Sequence, residues 1–299
     1  MGSEMCIRDR SDKAGPSRQD NLDGDPSAHG NAVAEAITTA LSWLTILPFK
    51  GASVFDRITG RRAIAALPVA GLVPAAGAVL ITAALFATSS SGTPTLYDVT
   101  PILGGTLIMV AAQMLTRAMH LDGLADVADA LGSYKPPEGA REVLRDPSTG
   151  PMGVGSIVLT MLTTTTAFAV IVASVLSQWS AGQMWPGVVA LCLPFVASRA
   201  AATTACWRGF PPFSNSGFGS LTAGTQSTVT VTCWWILLLA VSGWVVGLVG
   251  VVACALSFGV TLLLTRHCVK RFGGVNGDVF GAVIEIACAV CAVALAIGF

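Results

Sequence analysis

Long apolar stretches bounded by polar residues recur near 63–87, 101–116, 152–176, 185–206 and 279–298. At about 1.5 Å per helical residue they have the reach to cross about 30 Å of hydrocarbon, so the pattern predicts membrane-spanning helices rather than strands. A further run, 229–265, is too long for one crossing and divides around Ser242-Gly243 into two helices, one of them short. The segment from Val33 to Phe49, ending at Pro48, precedes them and either enters the bilayer or lies along its surface. The expected fold class is all-α, a polytopic membrane helix bundle with six to seven transmembrane helices.

Composition agrees with that pattern. In 299 residues the hydrophobic share is 53% and the charged share 11%, and the mean hydropathy of +0.69 is that of a membrane protein rather than a water-soluble domain. Formal net charge is zero, so bulk charge indicates no nucleic-acid partner; the lipid bilayer is the partner the composition implies. Residues 1–32 are expected to be a disordered, polar tail without the apolar core of a signal peptide, and 33–299 a single integral membrane domain. The opening MGSEMCIRDR reads as adapter-derived text and carries no fold information. Oligomeric state stays open, a homo-oligomer included.

The placement of charge changes the picture more than its sum. Beyond the tail, Lys and Arg fall in four groups: Lys50, Arg57, Arg61 and Arg62; Arg117, Lys135, Arg141 and Arg145; Arg199 and Arg208; Arg266, Lys270 and Arg271. The connections near 88–100, 177–184 and 243–245 hold none. With helices alternating in direction, all four groups share one side, which the positive-inside rule makes cytoplasmic.

On that side lies Arg117-Ala-Met-His-Leu-Asp-Gly-Leu-Ala-Asp-Val-Ala-Asp129. Helical steps of four and three residues set Asp122, Asp126 and Asp129 within about 60° of one another, so like charges crowd one face and call for a cation. A solvated helix end is the plain alternative, but acids are scarce beyond residue 30 and costly beside a membrane. His120 faces elsewhere on a continuous helix and would join the acids only if the chain bent at Gly123. A second polar island, Arg271 to Asp278, precedes the last helix. Its Gly273, Gly274 and Gly277 suit a tight turn or a phosphate-cradling loop, while Asp278 and Glu285 share a face. Glu285 reads equally as a site member or as a hydrogen-bonded interhelical residue.

Grouped carboxylates at the cytosolic end of a helical bundle suit Mg²⁺ or Mn²⁺, hard cations that prefer oxygen ligands, Mg²⁺ usually being held by one or two carboxylates together with substrate phosphates. That points to phosphoryl transfer, with Arg117, Arg145, Arg199, Arg208 and Arg271 as candidate clamps for the remaining phosphate charge.

The run His120-Leu-Asp-Gly-Leu-Ala-Asp-Val-Ala-Asp129, with Arg145-Asp146-Pro147, Gly150-Pro151-Met152-Gly153 and Gly273-Gly-Val-Asn-Gly-Asp278 through Glu285, resembles the signature of the cobalamin synthase family, the adenosylcobinamide-GDP ribazoletransferases. The resemblance spans roughly 35–299. Ala130, Ser148, Asn276 and Ile46 depart from the family's usual Gly, basic residue, Thr and Arg. The resemblance implies an enzyme of the cell inner membrane with its active site facing the cytoplasm. It would join adenosylcobinamide-GDP to α-ribazole or its 5′-phosphate, with Mg²⁺ as cofactor and GMP as the second product. By carry-over, Asp122, Asp126, Asp129 and Asp146 are candidate metal ligands or base. His120, Arg117, Arg145, Arg199, Arg208, Gly273, Gly274, Gly277, Asp278 and Glu285 are candidates for substrate binding. Rival readings are a polyprenyl-type transferase, for which Asp122 and Asp126 supply a D-x-x-x-D, a CDP-alcohol phosphotransferase, and an ion-coupled transporter.

Overall fold

The computed structural model describes residues 24–89 and 99–299. Residues 1–23 of the expected tail and 90–98 of the connection after the first span lie outside the described residues. In chain order the helices are α1 (Ala32–Leu44), α2 (Arg57–Ala65), α3 (Leu67–Ala70), α4 (Leu72–Ser89), α5 (Thr100–Leu115), α6 (Met119–Gly132), α7 (Pro137–Val143), α8 (Pro151–Ser180), α9 (Met184–Ala205), α10 (Phe218–Thr222), α11 (Thr228–Val245), α12 (Leu248–Phe272) and α13 (Gly277–Gly298). Among the described residues β-pairing is confined to two isolated bridges, so the all-α expectation holds.

Six segments are long and apolar enough to cross a membrane: α3 with α4, α8, α9, α11, α12 and α13. A seventh crossing exists if α5 and α6 are taken together, although the two are bent by 91°. At that angle α5 and α6 cannot both follow the membrane normal, so α6 runs across the end of α5. Leu80, Ile102, Leu159, Leu162, Ile236 and Leu263 point outward, an apolar exterior that lipid satisfies and water does not. The protein is therefore a multi-pass membrane protein. α1, with 13 residues, reaches only about 20 Å and does not span. The long run breaks at Val246-Gly247, with Gly247 at φ +82°, a few residues beyond the expected Ser242-Gly243.

The four basic groups meet at one end of the bundle. Arg57 donates to the Ser220 carbonyl at 2.5 Å, Gln226 to that of Arg61 at 2.9 Å, and Arg271 to that of Lys135. The Arg208 amide donates to the Gln226 carbonyl, and Arg145 sits over the Phe213 ring. At the same end α6 and α13 cross almost backbone to backbone. A carbon added at Gly123 would lie 2.7 Å from the Asp278 carbonyl oxygen, and one at Gly281 would lie 2.9 Å from that of His120.

Residues at the edge of the expected tail are tied into this end. His29, with its side chain 1% exposed, places Nδ1 2.9 Å from Glu35 and Nε2 2.9 Å from Asp56. Ionised carboxylates only accept, so the ring is held as imidazolium. The hydrogen bond to Asp56, with Glu35 adding to it, raises the His29 pKa against burial. Asp56 is held below its ordinary value by the Thr59 amide and His29, which outweigh burial.

Two outcomes test this packing. Gly123→Val forces α6 and α13 apart at a cost of about 1–3 kcal/mol. The detergent unfolding midpoint should fall clearly below that of Gly155→Val, where an added carbon meets nothing within 4 Å; equal midpoints would contradict the close crossing. In the second, His29 contributes stability that is full below its ordinary 6.5 and lost as pH rises through its raised value, whereas Asp56 contributes above 3.8 and loses as pH falls through its lowered value. Limited proteolysis near Gly30 should accelerate on the alkaline side in the wild type and lose that pH dependence in His29→Gln. A pH-independent wild type would refute the clasp.

Candidate active site

The elbow between α5 and α6 aims the acids. Arg117 and Ala118 both adopt left-handed backbone, φ +59° and +51°, at a cost of about 1–3 kcal/mol each for non-glycine residues. The Ala118 amide donates to the Gln113 carbonyl, the Ile46 amide to that of Leu115, and the Arg117 guanidinium to that of Trp43. These contacts hold the bend, which falls upstream of Gly123. α6 is continuous through Gly123, so His120 faces away from the acids, as a straight helix requires.

Asp122 is exposed, while Asp126 and Asp129 are half-buried on the same face. Asp129 has a distinct job: its two oxygens accept from the Gly150 and Gly153 amides at 2.7 and 2.8 Å, capping the N-terminus of α8 from another helix. Asp278 reaches the cluster from the first turn of α13. Asn276 caps that helix through the Val279 amide and donates to the Asp278 carboxylate at 2.7 Å. Burial, then the charges of Asp278, Asp122 and Asp129, push the Asp126 carboxyl up to about 6. Among the described residues none of these four acids forms an ion pair with Lys or Arg.

The other candidates are dispersed. Asp146 is exposed, held below its ordinary value by the hydroxyl and amide of Ser148, and is not among the acids acting on Asp126. Arg145 and Arg208 are exposed at the same end. Arg199 is buried inside α9 and donates to Ser198 at 3.1 Å. Glu285 is buried and accepts from Gln113 at 3.1 Å, so the interhelical hydrogen bond is the contact it makes. The glycine loop is packed rather than open. Gly274 abuts the Pro212 and Phe213 backbone, and Val275 exchanges hydrogen bonds with Pro211 and Phe213. Gly273, at φ +84°, lies against the Arg141 guanidinium, and Gly277 starts α13 beside Asp278. Sequence reasoning counted Arg141 only among the basic groups, passed over Gln113 and gave Asn276 no role, although an Asn directly before a helix is a capping signal.

The donor set is hard oxygen, unneutralised and mutually repelling, which fits Mg²⁺. Among the described residues no three acids converge tightly enough to chelate an ion unaided.

A polytopic helical bundle with its reactive side chains concentrated at one end defines an integral membrane enzyme. The chain belongs to the cobalamin-5-phosphate synthase family, whose model matches residues 36–296. It is 40% identical to a protein of Corynebacterium efficiens over 92% of this chain and 96% of that relative. It is 37% identical to one of Corynebacterium diphtheriae over 90% and 94%, and 31% identical to one of Frankia casuarinae over 84% and 90%. All three relatives are named adenosylcobinamide-GDP ribazoletransferase. No solved structure matches.

The raised Asp126 value runs opposite to that of a salt-bridged aspartate. Its folded value exceeds its ordinary 3.8, so ionising it destabilises the fold as pH climbs from about 4 to about 6. Carbon-13 NMR of Asp-labelled protein should show one carboxyl titrating near 6 that moves down in Asp278→Asn. A cluster in which every carboxyl titrates near 4 would contradict the crowding.

Proposed function

We propose that this protein joins adenosylcobinamide-GDP to α-ribazole or its 5′-phosphate in an Mg²⁺-dependent phosphoryl transfer that releases GMP. A ribose hydroxyl attacks the phosphorus attached to cobinamide. The new phosphorus–oxygen bond forms as the bridging bond to GMP breaks, and the hydroxyl gives up its proton. The product is adenosylcobalamin or its 5′-phosphate. The observation that carries this reading is that Asp122 and Asp278, within the family's own motifs, both lie near enough to act on Asp126, while among the described residues none of the three is paired with Lys or Arg.

Asp122 and Asp278 would hold Mg²⁺, which when bound neutralises pyrophosphate oxygens and the charge growing on the leaving phosphate. Asp126, its carboxyl pushed up to about 6 by burial and the neighbouring acids, is the candidate acceptor for the hydroxyl proton. Asp129 positions: it locks the start of α8 against α6. Arg117, Arg145 and Arg208 lie at the same end for phosphate contact. The basic end of the bundle is the cytoplasmic one under the positive-inside rule, which sets the site at the inner face of a bacterial cell membrane, where soluble nucleotides reach it.

Purified protein in nanodiscs, given adenosylcobinamide-GDP, α-ribazole phosphate and Mg²⁺, should yield product and GMP by mass spectrometry. Asp122→Asn and Asp126→Asn should each lose about 100-fold or more in rate, while Glu138→Gln, exposed on α7, keeps wild-type activity. Full activity in both Asn variants, or undiminished turnover in EDTA, would overturn the reading.

A further inference from the structure

Beside the acid cluster a cavity of about 440 Å³ opens between α1, α10 and α13. Four of its lining rings form a continuous wall. Trp43 meets Phe218 edge-on at 5.0 Å, Phe218 meets Phe280 at 6.3 Å, and Phe55 lies parallel to Trp43 at 6.4 Å. Ile64, Leu67 and Ile284 supply aliphatic surface. Apolar aromatic walls bind flat apolar rings by stacking and desolvation.

Its polar groups are few and placed to one purpose. His120 lines the cavity, is 4% exposed, and leaves Nδ1 without a hydrogen-bond partner among the described residues. A buried orphan of this kind costs stability unless a ligand satisfies it. An imidazole nitrogen left open in this way can pair with a ring nitrogen or a hydroxyl of a ligand. Asp278 lines the same cavity and also acts on Asp126; the cavity and the acid cluster share this one side chain. Arg117 lines the cavity too, anchored to the Trp43 carbonyl at 3.1 Å.

We propose that this cavity seats the base of the acceptor nucleoside, a bicyclic and largely apolar heteroaromatic ring, with its ribose directed toward Asp278. The inference rests on the transfer reaction proposed above and adds which substrate occupies which space. The corrinoid is far too large for the cavity. A guanine base carries polar atoms around most of its edge, and these walls would leave them unpaired. An apolar base with one free ring nitrogen leaves a single polar atom to satisfy, and His120 is there to meet it. The sugar hydroxyl then emerges at the acids, and a 5′-phosphate on the acceptor falls within the charge of Arg117.

Equilibrium dialysis of α-ribazole with the nanodisc-embedded protein, without donor or Mg²⁺, reads this site directly. Wild type should bind, and Phe280→Ala and Leu221→Trp should each weaken binding about tenfold or more. In the full reaction the acceptor KM should rise accordingly, with the donor KM within about twofold of wild type. Phe280→Ala removes part of the wall and Leu221→Trp fills the space from α10, so a folding defect in one leaves the other as the test. Acceptor binding unchanged in a folded variant, or a loss confined to the donor KM, would overturn the subsite even if product forms. Binding that is present and lost in the variants, with no product in the full reaction, would uphold the subsite and count against the transfer reaction alone.

Discussion

Everything at the reactive end depends on how closely α6 and α13 approach. Gly123 and Gly281 leave no side chain between the two backbones, and the carbonyls of Asp278 and His120 occupy the space that a Cβ would need. Within a membrane, where hydrophobic burial does not drive helices together, such small-residue contacts are what allow tight packing. The consequence is chemical. Asp278, from the end of the chain, is brought near Asp122 and Asp126, more than 150 positions earlier, and among the described residues none of the three is paired with Lys or Arg.

Two further constraints keep that arrangement from relaxing. The strained elbow at Arg117 and Ala118 lays α6 across the bundle end, and Asp129 staples α6 to the first turn of α8. Behind them Gln113, Arg199 and Glu285 are polar groups packed within apolar helices. Such groups are costly in a bilayer and are kept where they fix helix positions. The site is a junction of α6, α8 and α13, with α1 and α10 closing the neighbouring cavity. No continuous stretch of sequence contains it.

Much of this was legible in the sequence. Apolar run lengths located the spans, and the spacing of Asp122, Asp126 and Asp129 put them on one face because α6 is regular. Other features were hidden for physical reasons. The 91° break carries neither Gly nor Pro, and a left-handed Arg-Ala pair is imposed by contacts with α1 that no local pattern reveals. The capping role of Asp129 depends on the Gly150 and Gly153 amides, more than twenty residues away. Gly274 resembled part of a phosphate loop, but its missing side chain serves contact with Pro212. Arg199 looked like a clamp because charge is visible in a sequence and burial inside a helix bundle is not.

The central claim is that crowded carboxylates wait for a divalent ion that arrives with a pyrophosphate. Electron paramagnetic resonance of Mn²⁺, standing in for Mg²⁺, measures it most directly by counting free ion with and without adenosylcobinamide-GDP. The account predicts weak binding to the protein alone, tightened about tenfold or more by the nucleotide. Equally tight binding without the nucleotide, or no binding with it, would contradict the account.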